Sequence, residues 1–90
     1  MPAHALLITG RVQGVNFRTE AKAKADALRL TGWVRNNDHD GSLEMHIEGS
    51  LPALQQFEQW CARGPEGARV EEVKVKNVAQ EYGSSFEIQM

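Results

Sequence analysis

The chain has 90 residues, of which 41% are hydrophobic and 24% are charged, and this ordinary globular composition excludes a disordered or fibrous protein. Ten lysines and arginines against twelve aspartates and glutamates give a formal net charge of −2, which argues against a strongly basic nucleic-acid-binding protein. Cys61 is the only cysteine, which excludes an internal disulfide and a CxxC metal site, and the longest apolar run, residues 5–8, is far shorter than the ~20 residues of a transmembrane helix.

The first third of the chain predicts a strand, a loop and a helix. Residues 5–9 form a short apolar run that ends at a glycine, which is typical of a buried strand. Two glycines within residues 10–16 then indicate a loop. From Phe17 onward apolar residues recur at helical spacing, with Asn16 as the expected N-cap and Gly32 just beyond the expected end of the helix.

The rest of the chain predicts a hairpin, a second helix and two more strands. Ser50 is suited to cap the second helix, and Gly64 to end it. Val70 falls out of phase with the alternation that follows it, which indicates a bulge or a late strand start. The predicted strands of this part are residues 33–36, 42–48, 72–76 and 86–90.

The order of these elements is β-α-β-β-α-β with a short C-terminal strand. This is the split βαβ plan of the ferredoxin-like fold, in the α+β class. It predicts an antiparallel sheet with two helices on one face, within a single domain over residues 1–90. The plan hosts enzymes, RNA-binding domains and regulatory modules alike, so function has to be argued from a site.

The most informative stretch runs from Gly10 to Arg18, between the first strand and the first helix. Successive backbone N–H groups in such a glycine-containing loop can converge on an anion, and the helix N-terminus adds partial positive charge. Arg18 lies in the first helical turn, where a cation is disfavoured by roughly 0.3–1 kcal/mol unless an anion lies beside it. Its planar guanidinium suits two phosphate oxygens at once. The stretch therefore predicts a phosphate site.

Two motifs resemble the signatures of the acylphosphatase family. The first is Gly10-x-Val12-Gln13-Gly14-Val15-x-Phe17-Arg18, and the second is Gly32-Trp33-Val34-Arg35-Asn36 followed by Gly41 and Gly49. The resemblance implies that Arg18 and the loop bind the substrate phosphate and that Asn36 orients the attacking water. The loop residues whose backbone is expected to bind phosphate are Val12, Gln13, Gly14, Val15, Asn16 and Phe17.

The second motif departs from the family pattern in the turn that follows it. Four residues separate Asn36 from Gly41, one more than is usual, and Leu43 stands where valine is common. The hairpin turn is therefore expected to be longer or bulged. Neighbouring residues of a regular strand point to opposite faces of the sheet, so Asn37 is the alternative water-orienting residue.

The resemblance implies hydrolysis of a small acyl phosphate to a carboxylate and inorganic phosphate. A carboxylate with a pKa near ~4 leaves at neutral pH without receiving a proton, so the reaction requires no general acid. No metal and no cofactor are expected, and neither a nucleic-acid partner nor a membrane. Because the first residues lack a basic stretch followed by a long apolar one, we expect no secretory signal and a cytoplasmic protein. We also expect the protein to be a monomer.

Two other classes of function are compatible with the same fold. A non-catalytic module of the same family would bind carbamoyl phosphate or another anion for a larger assembly. An RNA-binding module would need an aromatic strand of the RNP type, which this sequence lacks, and a more basic surface.

The remaining polar and aromatic candidates favour structural roles. His4, His39 and His46 are far apart in sequence and are expected to be solvated or hydrogen-bonded, with His46 on the exposed face of its strand. Cys61 lies on the apolar stripe of the second helix and is expected to be a small buried hydrophobe. Phe17 is expected to anchor the loop to the core, and the two tryptophans are expected to pack.

Overall fold

Five strands and two helices follow one another in the computed structural model, which describes residues 1–89. They confirm the predicted element order, although the last position of the predicted terminal strand, Met90, lies outside the described residues. The elements are β1 (Ala3–Arg11), α1 (Phe17–Ala27), β2 (Thr31–Asn37), β3 (Ser42–Glu48), α2 (Leu51–Arg63), β4 (Arg69–Asn77) and β5 (Phe86–Ile88).

The strands form one sheet in the order β4-β1-β3-β2-β5. The pairs β1–β4, β1–β3 and β2–β3 are antiparallel, which confirms the predicted antiparallel sheet, and the short edge strand β5 adds one parallel pair, with β2, that the sequence did not predict. The reason is the route of the chain. After β4 it crosses to the opposite edge of the sheet and reverses direction, and there a reversed strand runs the same way as β2.

The core lies between the sheet and both helices. Leu6 and Ile8 of β1 pair with Met45 and Leu43 of β3, and all four are at most 1% exposed. Alternation places these side chains on one face of the sheet. The helices close that face with stripes at helical spacing, as the sequence predicted. Their buried members are Phe17, Ala21 and Ala25 of α1 and Leu54, Phe57 and Cys61 of α2.

The sequence predicted the N-cap of α2 correctly, but it predicted the ends of α1 only in part. Ser50 caps α2 as predicted, since its side chain accepts a hydrogen bond from the Ala53 N–H. Asn16 occupies the N-cap of α1, but its side chain makes no capping hydrogen bond. Gly32 does not end α1: Arg29 adopts the left-handed conformation after the helix, with φ of 58°, and Gly32 lies inside β2.

Gly32 is required where β2 crosses close to β3. Its φ is 136°, and a Cβ atom at this position would lie 1.7 Å from the carbonyl oxygen of His46. No other residue type avoids that clash without moving one of the two strands. The predicted irregularity near Val70 is confirmed as a shift in the β1–β4 register, where Thr9 pairs with Glu72 but Gly10 pairs with Val70.

The face of the sheet away from the helices is partly covered by the connection between β4 and β5. His46 and Glu48 of β3 are 4% and 2% exposed, so the prediction that His46 lies on an exposed face was wrong. His46 Nε2 lies 2.5 Å from a carboxylate oxygen of Glu48, which also accepts hydrogen bonds from the backbone N–H groups of Glu81 and Tyr82. The connecting segment thus buries His46 and Glu48, on a face that the alternation of the strand predicted to be exposed.

Candidate active site

The loop between β1 and α1 is fixed to the core at both ends. Val12 is 1% exposed and Phe17 is 2% exposed, and both belong to the hydrophobic core. The Phe17 ring meets Trp60 of α2 edge-on, with ring centroids 5.4 Å apart. The prediction that Phe17 anchors the loop is therefore confirmed. The residues between these anchors bend continuously, and Gly14 and Asn16 are exposed to solvent.

The backbone of this loop suits an anion. Gly14 and Asn16 adopt positive φ values of 75° and 62°, and each lies beside residues with negative φ, an alternation that turns successive N–H groups toward one side. The first hydrogen bond within α1 runs from the Glu20 N–H to the Asn16 carbonyl oxygen. The N–H groups of residues 17–19 precede that bond and have no partner in the helix, which leaves them available to a ligand at the positive end of α1.

A small pocket of about 110 Å³ lies against this loop and the end of β2. It brings together residues that are distant in sequence, since Asn36 of β2 faces Arg18 and the loop. The lining residues are Val12, Gln13, Gly14, Asn16, Phe17, Arg18, Thr19 and Asn36.

Seven of the eight predicted site residues line this pocket, and Val15 does not. The Val15 side chain instead packs against the hydrophobic core, while its backbone lies in the loop between Gly14 and Asn16. Thr19 is a lining residue that the sequence reasoning missed. Its place in the first turn of α1, directly after Arg18, was the available signal, because the first turn of a helix faces the same ligand as the preceding loop.

The guanidinium of Arg18 is held at the C-terminal end of the described chain. Its Nη1 donates a hydrogen bond to the carbonyl oxygen of Gln89 at 3.4 Å. Gln89 in turn donates its N–H to the Val34 carbonyl oxygen of β2. A five-donor guanidinium keeps further N–H groups for a ligand in the pocket after making this one bond.

Asn36 and Asn37 lie on opposite faces of β2. Val34, two residues before Asn36, is fully buried on the helix side of the sheet, so the alternation places Asn36 on that side at the rim of the pocket. Asn37 Nδ2 donates to Ser42 Oγ at 3.0 Å, and Asn37 lines a different cavity on the far face of the sheet. The structure therefore brings Asn36 and not Asn37 to Arg18.

The longer hairpin turn leaves the strand pairing intact. Pairing is continuous from Thr31–Glu48 to Asn37–Ser42, so the extra residue lies in a four-residue turn, 38–41, without a bulge. The Asp40 carboxylate accepts hydrogen bonds from the N–H and the Oγ of Ser42 at 3.0 and 2.7 Å. The Oγ bond, with a smaller contribution from the N–H bond, lowers the pKa of Asp40 from its ordinary value of 3.8.

Two of the three histidines, both outside the pocket, lie against carboxylates of other residues with which they are largely buried. His4 Nδ1 lies 2.5 Å from Glu58 of α2, and His46 lies beside Glu48. Burial raises the pKa of the Cys61 thiol, which is fully buried as predicted.

Within residues 1–89, no group of three or more histidine, cysteine, aspartate or glutamate side chains is arranged to hold a metal ion. Over the same range, no helix has the length and apolar character needed to cross a bilayer.

Comparison with known proteins gives the family. A family model described as Acylphosphatase matches residues 4–88. A curated acylphosphatase from Nocardioides sp. is 46% identical over 79 residues, which is 88% of this chain and 79% of that protein. The crystal structure of acylphosphatase from Bacillus subtilis matches with a TM-score of 0.96 at 34% identity, over 100% of both chains.

A larger protein contains a similar unit. The crystal structure of full-length HypF in its phosphate- and nucleotide-bound form matches with a TM-score of 0.92 at 28% identity, over 99% of this chain but 12% of that one. The family model covers nearly the whole of the present chain, and the Nocardioides and Bacillus relatives are acylphosphatases of similar length. The chain therefore belongs to the acylphosphatase family, whose members are enzymes that hydrolyse acyl phosphates.

Proposed function

We propose that the chain hydrolyses acyl phosphates in the pocket between the loop of residues 12–17 and Asn36. The reaction is R–CO–O–PO₃²⁻ + H₂O giving R–COO⁻ + H₂PO₄⁻. The bond between phosphorus and the acyl oxygen breaks, its electron pair leaves on the carboxylate, and a new bond forms between phosphorus and the water oxygen. The observation that carries the proposal is that backbone N–H donors, a guanidinium and a side-chain amide line one small pocket.

The loop and Arg18 bind the phosphate in this proposal. Phosphoryl transfer passes through a loose transition state with charge spread over the equatorial oxygens, so fixed N–H donors and a cation lower the barrier. The positive end of α1 adds to the same field. The bond from Arg18 to Gln89 supports this role, because it holds the guanidinium at the pocket before substrate arrives.

Asn36 orients the attacking water in this proposal. Its amide offers an acceptor and two donors, which can hold a water molecule in line with the bond that breaks. A neutral amide is a poor base, and the described residues that line the pocket include no carboxylate, histidine or cysteine. The water protons therefore pass to the phosphate oxygens of the substrate. The leaving carboxylate needs no proton, so the pocket needs no general acid.

A non-catalytic anion-binding module is the second candidate, and the match to HypF is the observation that favours it. The chain spans most of its curated acylphosphatase relatives but only 12% of HypF, which supports hydrolysis as the first choice. A module of this kind would bind inorganic phosphate or carbamoyl phosphate and release no phosphate from acyl phosphates. Phosphate release by the purified chain separates the two candidates.

We further propose that the chain acts as a monomer in the cytoplasm, as one domain over residues 1–90, without metal or cofactor and without a nucleic-acid partner. A single cysteine that is buried and free is consistent with a reducing compartment. Sedimentation at micromolar concentration tests the monomer. Activity that is unchanged after incubation with a chelator is the expected result for a metal-independent site, and loss of activity restored by a divalent cation would contradict it.

Two substitutions test the roles of the pocket residues, with benzoyl phosphate as substrate. We expect Arg18→Ala to lower kcat/KM by about 10²- to 10³-fold, since it removes the charged donor to the transferring group. We expect Asn36→Ala to lower kcat by a similar factor and to change KM by less than about 3-fold. Arg63→Ala, at the exposed end of α2, is the matched control and should retain full activity. Near-normal turnover by Arg18→Ala would refute the mechanism.

A further inference from the structure

The side chain of Gln13 joins the phosphate loop to the hairpin that carries Asn36. Gln13 Nε2 donates to the carbonyl oxygen of Asn37 at 3.3 Å and to that of Ser42 at 3.1 Å. Both acceptors are backbone carbonyls, so the amide nitrogen with its two N–H donors is the end of the side chain that matches them. The contact is half-buried, which protects it from competition with water.

This contact lies where the backbone ladder stops. The pairing between β1 and β3 ends at Ile8–Leu43, and Ser42 is the next residue of β3 toward the turn. Asn37 and Ser42 are the last pair of the β2–β3 ladder, directly beside the pair formed by Asn36 and Leu43. The Gln13 amide therefore links the loop to both strands of the hairpin, one residue from Asn36.

We propose that Gln13 is a positioning residue for hydrolysis, and that its side chain sets the spacing between the bound phosphate and the water held by Asn36. This inference rests on the proposed function. Attack in line requires the reacting atoms to be about 3–3.5 Å apart, and a displacement of about 1 Å lowers the rate by about 10²-fold. The loop holds one reactant and the hairpin holds the other, so a link between loop and hairpin controls that distance.

A double-mutant cycle between Gln13 and Asn36 tests the proposal. Gln13→Met keeps the length of the side chain and removes both donors. We expect it to lower kcat for benzoyl phosphate by about 10- to 100-fold, and to change KM and the affinity for inorganic phosphate by less than about 3-fold. In the Asn36→Ala background the same substitution should change kcat by less than about 3-fold, because the water is no longer held.

Two further variants keep the test sound. Gln13→Asn retains a polar amide, but its side chain is one methylene too short to reach both carbonyls. We therefore expect a kcat between that of the wild type and that of Gln13→Met. Gln55→Met, on the exposed side of α2, is the matched control and should leave kcat unchanged. Circular dichroism of each variant confirms that the folded protein is being assayed.

The outcomes separate this inference from the proposed function. If Gln13→Met leaves kcat unchanged, or lowers it by the same factor with and without Asn36, then Gln13 does not act through the water and the inference is overturned. If Asn36→Ala itself leaves kcat unchanged, the role of Asn36 in the proposed function fails first. A large effect of Gln13→Met that disappears in the Asn36→Ala background supports both.

Discussion

Replacing Glu48 by glutamine is expected to destabilise the protein, and to do so in a way that depends on pH. Glu48 is 2% exposed and accepts hydrogen bonds from the N–H groups of Glu81 and Tyr82 and from the His46 ring. Hydrogen bonds to a charged group contribute about 1.5–3 kcal/mol each, against about 0.5–1.5 kcal/mol for neutral pairs. The NH₂ group of a glutamine at this position would also face one of these N–H donors, and it cannot accept a hydrogen bond.

The smaller desolvation penalty of the neutral amide offsets part of this loss. We therefore expect Glu48→Gln to lower the free energy of unfolding at neutral pH by about 2 kcal/mol, out of roughly 5–13 kcal/mol for a chain of this size. Urea unfolding followed by tryptophan fluorescence should show a midpoint that is about 1–2 M lower than in the wild type. Glu71→Gln, on the exposed edge of the sheet, is the matched control.

The pH dependence follows from the pKa of Glu48. Burial by itself would raise that pKa, but the hydrogen bonds from Glu81, His46 and Tyr82 outweigh it and lower the pKa below its ordinary value of 4.5. The folded state therefore binds this proton less tightly than the unfolded state does. The stabilisation is fully present above the unfolded pKa, and it is lost as pH falls through the lower folded pKa.

The stability difference between wild type and Glu48→Gln should therefore shrink as pH is lowered from about 5.5 to about 3, because glutamine has no proton to bind. Unfolding curves in urea at intervals of pH over that range measure the difference. A difference that stays constant over the range would refute the reasoning, and so would a Glu48→Gln protein as stable as the wild type at neutral pH.

Three further predictions concern the core and the elements around it. Gly32→Ala would place a Cβ atom 1.7 Å from the His46 carbonyl oxygen, so we expect a loss of more than about 3 kcal/mol in the free energy of unfolding, against little change for Gly83→Ala; equal stability of the two would contradict this. Ser50→Ala removes the N-cap of α2 and should lower stability by about 1 kcal/mol in urea while hydrolysis is unchanged. Burial raises the pKa of the Cys61 thiol, so Ellman's reagent should modify it only as the protein unfolds, and rapid modification under native conditions would show that α2 opens.

The local patterns predicted most of the fold, because most of it is decided by local alternation. The period of the apolar residues was enough to predict the strand of residues 42–48 and the stripes of both helices, since one face of each element packs on one core. The cap at Ser50 and the stop at Gly64 depend on the chain within three or four residues. Each of these features shows as a pattern within a short stretch of the chain, which is why a single sequence sufficed to predict it.

The features that the sequence did not predict depend on contacts between distant segments. His46 alternates with apolar neighbours as an exposed residue would, and it is buried because the connection from β4 to β5 lies over it. Gly32 is a glycine that follows a helical pattern, which is typical of a helix end, yet it is needed where the strands β2 and β3 approach each other closely. The parallel pairing of β5 is decided by the route of the chain around the sheet, and the sequence of a three-residue strand carries no pattern that reports this route.

The same distinction explains the candidate site. The loop and Arg18 lie within nine consecutive residues, so their chemistry was visible in the sequence, whereas the choice between Asn36 and Asn37 required the register of β2. That register is fixed from the core side, because Val34 is fully buried and the residue two positions later must share its face. The turn lies beyond Asn37, so its extra residue changes the tip of the hairpin and leaves the position of Asn36 unaffected. The position of Asn36 is therefore set by the packing of β2 on the core and not by the length of the turn that follows.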